Sequence, residues 1–194
     1  MKIIKWICII FGGFFVLGLV LNATGVKGSA QKEEQSKQVT SEKESKWSME
    51  EEVSKMTDSK NVYVMLKSDS ILINPVNMSK SIVPHLLFRC MDNKTEILFY
   101  TGVPLSAEYG NALGKTVKLR LDKDKAINYA FSDGQGTFDT YFANQPIKLL
   151  NMLKGHSKLL VAADVHRQGE QVFEFDITEL EKNIKPIKEA CSLK

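Results

Sequence analysis

The side chains able to do chemistry in this chain stand apart from one another. Each of the three histidines, His85, His156 and His166, lacks a second ligand at i+2 or i+4, so a zinc centre would need distant segments to converge. Surface or turn positions are the plainer assignment. Asp122 and Asp124 open like a calcium loop, but Ala126 falls at the fifth position and no closing Gly and Glu follow. The GQG at 134–136 lies between two predicted strands rather than before a helix, so a hairpin turn explains it better than a phosphate cradle. A carboxylate pair for glycoside hydrolysis can be drawn from any of 23 acidic residues, and the sequence singles out none. No catalytic residue, metal or cofactor is assigned on these grounds.

The cysteines are more informative. Cys8 sits in an apolar run and behaves as a small hydrophobe, which leaves Cys90 and Cys191 for the rest of the chain. A single bridge needs two cysteines. In an oxidising compartment a Cys90–Cys191 disulfide would close a loop of about 100 residues, worth roughly 4 to 5 kcal/mol in the chain-entropy model. Two buried free thiols are the alternative; without a C-x-x-C, a thiol-redox role is disfavoured.

An N-terminal segment argues for that compartment. Lys2 and Lys5 precede a nearly unbroken apolar run, Trp6 to Leu21, with Ile3 and Ile4 at its front. Such a run is long for a signal peptide and short for a membrane-crossing helix. We assign residues 1–24 to a signal anchor, with cleavage near Gly28 and Ala30 as the alternative. The expectation is a single-pass inner-membrane protein, held through residues 3–21 with its C-terminal domain in the periplasm; cleavage would leave it soluble there. Residues 25–46 form a polar linker. Its Gln31–Lys46 stretch has no aromatic residue and one apolar side chain, Val39, too little to offset backbone entropy by burial. A β-rich domain then occupies 47–194. With 26 basic and 23 acidic residues interleaved, for a net charge of +3, nothing gathers a basic face for nucleic acid.

Within the domain, apolar residues recur with period 2 between turn residues. NVYVMLKSD and HLLFRCMD give two strands, and Asp92 and Asn93 turn the second back along Glu96–Thr101. KTVKLRLD alternates cleanly, Val117, Leu119 and Leu121 against Lys118 and Arg120, as a half-solvated antiparallel strand does. KAINYAF and TFDTYFA form a hairpin across SDGQG, where Gly134 and Gly136 permit positive φ. Pro146 opens a short helix with Ile147, Leu150 and Leu153 on one face, and Gly155 ends it. KLLVAADV and QVFEFDI pair around Gly169. A last helix carries Leu180, Ile184 and Ile187, with Thr178 and Glu181 spaced as a capping box and Pro186 interrupting it. The predicted fold is mainly β: an antiparallel β-sandwich or rolled sheet of about seven or eight strands with two short helices, after an N-terminal apolar helix.

Taken in order, Trp47-Ser48, SKMTDSKNVYVML with Asp58 and Val62, LLFRC ending in Arg89 and Cys90, and DNKTEI resemble the VasI/TagO family of type VI secretion-associated proteins. VKLRLD with Arg120 and Asp122, YAFSDG, FEFDITEL and IKEAC with Cys191 continue the same order. Phe131 stands where that pattern usually has Trp. The resemblance implies an exported envelope accessory without known catalysis, and it transfers no active-site residue. Arg89 and Arg120 sit among apolar residues on strands, so they are candidates either for cross-strand ion pairs with Asp58 or Asp122 or for a groove that binds an anionic partner.

Three functional readings follow. The first is a non-enzymatic, membrane-tethered module that binds an envelope protein, in connection with type VI secretion. An exposed apolar patch or a free edge strand would favour it. The second is a cell-wall or glycan-acting enzyme, which requires two carboxylates across a cleft near Arg89 or Arg120. The third is a prophage-encoded envelope protein using the same domain.

Overall fold

Strands dominate this chain because β-branched and aromatic residues alternate with polar ones over runs of seven or eight residues, and glycine or Asx residues end each run. The computed structural model describes residues 45–75, 77–108, 110 and 114–193. The expected apolar helix, and the linker up to Glu44, lie outside the described residues. Among the described residues no helix is long and apolar enough to cross a membrane.

The elements run β1 (Trp47–Val53), β2 (Lys60–Lys67), β3 (Leu72–Ile73), β4 (Ser81–Ile82), β5 (His85–Met91), β6 (Lys94–Tyr100), β7 (Lys115–Leu121), β8 (Ile127–Asp133), β9 (Thr140–Ala143), α1 (Pro146–Leu153), β10 (Lys158–Val165), β11 (Gly169–Asp176), α2 (Leu180–Asn183) and α3 (Lys185–Ala190). Nine strands make one antiparallel sheet, ordered β1-β2-β5-β6-β9-β8-β7-β10-β11, and β3 and β4 form a separate hairpin. The count therefore exceeds the expected seven or eight strands and two helices. β1, β3 and β4 carry weak or very short period-2 patterns, and Pro186, at the start of α3, splits the terminal helix in two.

The nine-stranded sheet folds back on itself around its core. Phe99, on the fourth strand across, meets Phe173 and Phe175 on the last strand at centroid distances of 5.5 and 6.4 Å, and Phe131 at 6.3 Å. A flat sheet could not bring these rings together; right-handed twist accumulated over nine strands does. The roll closes through the segment that follows β2. Asp69 N–H and Ser68 Oγ donate to the Glu174 carbonyl of β11 at 2.7 and 3.0 Å, and Glu174 N–H donates to Ser70 Oγ at 3.0 Å.

The enclosed core takes one face of every long strand except β1: Val62, Val64 and Leu66; Leu86, Phe88 and Cys90; Val117 and Leu119; Leu159, Val161 and Ala163. Each fully buried Leu, Val or Phe contributes roughly 1.5–3 kcal/mol. Cys90 is bridged to Cys191, 101 residues on, with a Cα–Cα distance of 5.7 Å. The bridge fastens the C-terminal end of α3 to β5, while Leu180, Ile184 and Ile187 bury against the core as their spacing predicts.

Three local expectations are corrected. The buried face of α1 is Leu149, Leu150 and Leu153, and Ile147 is exposed, because the helix begins at Pro146 and its first turn projects beyond the core. The Thr178–Glu181 capping box does not form; Glu179 occupies the N-cap without a side-chain cap, and Thr178 N–H instead donates to Asp176 Oδ1. Gly136 alone of the two hairpin glycines takes positive φ, at 72°.

Candidate functional site

A sheet that buries one face against a core normally offers water a polar outer face. Here part of the outer face is apolar. Cross-strand register places Met65 opposite Leu87, Leu87 opposite Leu98, and Leu98 opposite Phe142, so four adjacent strands carry one apolar row pointing away from the core. The signal is present in the sequence as unbroken triplets, Leu86-Leu87-Phe88 and Ile97-Leu98-Phe99, where alternation would have demanded a polar middle residue.

Beside this row lies a charged one. Arg89 and Glu96 are directly opposite each other on β5 and β6, and Arg89 Nε and Nη2 both donate to Glu96 Oε2, at 2.8 and 2.6 Å. Lys94 Nζ reaches the other oxygen at 2.7 Å. The pair is largely covered, with side chains 18% and 13% exposed, and the Arg89 guanidinium sits 5.5 Å from the centre of the Phe142 ring. Burial works to raise the Glu96 pKa, but hydrogen bonds from Lys94 and Arg89, and their charges, outweigh it and hold the carboxyl below the usual carboxylate range.

These residues line an open groove of about 790 Å³, whose further walls are Ser132, Asn144 and Thr140 on the strand side and Gly134, Gln135 and Thr137 from the β8–β9 turn. Two carboxylates, Glu96 and Asp133, therefore border one cleft beside Arg89, the arrangement a glycan hydrolase would need. Of the two roles in such a pair, the lowered pKa suits Glu96 to the ionised one, base or nucleophile, and not to the acid. A general acid must hold its proton near neutral pH, and two cations keep this one ionised.

The other predicted residues fall elsewhere, and none pairs as expected. Asp58 lies in the β1–β2 turn at φ 54°, its N–H on the Ser54 carbonyl. Arg120 Nε donates to the Asp124 carbonyl within the β7–β8 turn. Asp122 accepts from Ser157 and Lys158 N–H and lies 2.8 Å from His156 Nδ1. The His156 hydrogen bond, then the backbone donors, lower its pKa. This is a turn lock between β7 and β10. Arg89 alone of the four lies in the groove; Glu96, Lys94, Phe142 and Leu98 join it without having been foreseen individually. Among the described residues no group of three or more His, Cys, Asp or Glu side chains is placed to hold a metal.

Over residues 20–192 the sequence matches the family described as Type VI secretion system VasI, EvfG. Comparison with curated proteins finds no match. Among solved structures, the crystal structure of invasion associated protein B from Bartonella henselae aligns with a TM-score of 0.46 at 13% identity, covering 75% of this chain and 93% of that one.

Proposed function

Since the chain belongs to the type VI secretion system VasI/EvfG family, we propose that it is a non-enzymatic accessory of that apparatus, tethered at the periplasmic face of the inner membrane by its N-terminal apolar segment. Its work is to bind an envelope protein of the apparatus through the outer-face groove and the apolar row that continues from it across β5 and β2. The observation that carries this reading is the apolar row on the outer face, in which Leu98 is buried and Met65, Leu87 and Phe142 are half-buried, Leu98 and Phe142 lining the groove and Met65 and Leu87 lying beside it. Apolar area left on an outer face is area a partner can remove from water, at about 25 cal/mol per Å².

The groove also defines the partner's chemistry. Arg89 and Glu96 neutralise each other, so a highly charged ligand gains little there, whereas Ser132, Thr140 and Asn144 line the groove with neutral polar side chains, Ser132 Oγ donating to Asn144 Oδ1 and Thr140 Oγ1 to Asp139 Oδ1. A partner segment with apolar side chains and uncharged polar neighbours fits best. The Cys90–Cys191 bridge supports an oxidising location.

The test is site-specific photocrosslinking in bacteria making the full chain, with the photoreactive residue at Met65 or Leu87 and, as control, at Val172. Adducts from the first two positions containing a known component of the secretion apparatus, together with loss of secretion in Leu87→Glu at unchanged melting temperature, are the expected result. Equal adducts from Val172, or normal secretion by Leu87→Glu, would refute it.

A further inference from the structure

The β3–β4 hairpin is apolar on both faces. Leu72 and Ile82 pair with each other and turn inward, Leu72 into the core. The period-2 alternation then puts Ile71, Ile73 and Val83 on the opposite face, where they are 66%, 48% and 40% exposed, and Met78 in the connecting turn is 79% exposed. A hairpin needing only to cover the core would have polar residues at these positions. Its charge is as one-sided as its hydropathy. From Ser70 to Met91 the chain contains no Asp or Glu, while Lys80 lies in the hairpin and Arg167 is next to Gln168, whose Nε2 donates to the Ile73 carbonyl.

The course of the chain says what such a surface meets. The polar linker enters the domain at Lys46, which forms an ion pair with Asp69 and whose carbonyl accepts from Lys67 N–H. Asp69 is two residues from Ile71, so the linker arrives at the end of the roll that carries the hairpin. A polar stretch of 22 residues, 25–46, has a root-mean-square reach of roughly 25 Å, short enough for the proposed tether to hold the domain beside the bilayer. We infer that the outer face of the β3–β4 hairpin, Ile71, Ile73, Met78 and Val83 with Lys80, inserts into the interfacial region of an anionic lipid bilayer and sets the domain's orientation on the membrane. This rests on the tether proposed above. Apolar side chains with Lys80 among them and no acid between Ser70 and Met91 match such a surface, the acids at the hairpin's base, Asp69 and Glu174, being paired with Lys46 and Lys158, and linkage to the membrane makes the second contact effectively intramolecular.

The full-length protein is reconstituted into vesicles of phosphatidylglycerol and phosphatidylcholine containing a phospholipid with a diazirine near the headgroup, irradiated and digested with trypsin. Adducts are expected on the N-terminal segment and on the peptides 68–80 and 81–89. The triple variant Ile71→Ser, Ile73→Ser and Met78→Ser should reduce the hairpin adducts roughly tenfold while keeping the disulfide, the melting temperature and the N-terminal adducts. N-terminal adducts without hairpin adducts would refute the insertion and leave the tether standing. Adducts on neither would refute the tether itself.

Discussion

Replacing both Cys90 and Cys191 by Ala removes the one covalent constraint on the unfolded chain among the described residues. The bridge spans 101 residues, and the chain-entropy relation gives about 4.7 kcal/mol for a loop of that length. Native-state losses add to this: Cys90 is fully buried on β5, and Cys191 secures a six-residue helix, α3, whose buried contact is Ile187. For a domain of this size each kcal/mol shifts the melting temperature by roughly 2–4 °C, so the double variant should melt about 10–20 °C lower. Thermal melts and urea unfolding of wild type and variant, compared at fixed pH, read this directly; a lower urea midpoint should accompany a larger dependence on denaturant, since the unlinked chain exposes more surface. A drop of less than about 3 °C would refute the reasoning. It would mean that the unfolded ensemble already holds β5 near the C-terminus, or that α3 is dispensable to the roll.

Arg89→Ala leaves a mostly covered Glu96 with only Lys94 for a partner; we expect a loss of roughly 1–3 kcal/mol and a rise of the Glu96 pKa toward the ordinary range, followed by carboxyl NMR titration. Gly102 has φ 70°, and a β-carbon there would lie 2.4 Å from Ile82 Cγ2, whereas Gly136 has φ 72° with open space around it. Gly102→Ala should therefore destabilise by about 1–3 kcal/mol more than Gly136→Ala in matched urea curves. His85, stacked on Tyr100 at 4.5 Å, has its pKa lowered chiefly by burial and also by Lys67, against a weaker upward pull from the Val83 carbonyl and Asp139. The unfolded chain then binds the proton more readily than the folded one, so stability should fall as pH drops below about 6.5. His85→Gln should flatten the urea midpoint between pH 7 and 5. Glu96, shifted down, adds a loss in the same direction only below the carboxylate range.

Local pattern and long-range assembly differ sharply in how far the sequence discloses them. Alternation in KTVKLRLD predicts the burial of Val117 and Leu119 and the exposure of Lys118 and Arg120, because that choice is made residue by residue. The Asp92-Asn93 turn is legible for the same reason; both residues take positive φ, at 48° and 59°. The cysteine count led to the bridge by elimination. Which strand lies beside which is another matter: β6 pairs with β9, and β7 with β10, across intervening segments, and such neighbours are chosen by the packing of the whole core. Ion pairs inherit this difficulty. Arg89 could be recognised as a buried cation wanting a carboxylate, but Glu96 becomes the obvious one only when the turn places position 89 opposite 96; Asp122, a candidate ion-pair partner for the two arginines, is held by His156 and two backbone donors once β7 and β10 are neighbours.

Two modes of partner binding, strand addition at a sheet edge and docking on an apolar face, can be weighed from how the roll ends. The β11 edge is occupied where Ser68, Asp69 and Ser70 bond Glu174, and one more strand there would have to displace them. The β1 edge carries Glu50, Glu51 and Glu52 in succession, with Glu51 paired to Lys60 and Glu52 accepting from Tyr63 and Asn61. Consecutive charges on an edge strand are a protection against added strands, and they repel a second copy of the same edge. Neither edge is prepared for augmentation. The outer-face row, bordered at one end by Glu50, runs in register across four hydrogen-bonded strands through Met65, Leu87, Leu98 and Phe142, a surface whose geometry is fixed before any partner arrives. Binding there involves little ordering of the protein, so Leu87→Glu should weaken association mainly by faster dissociation.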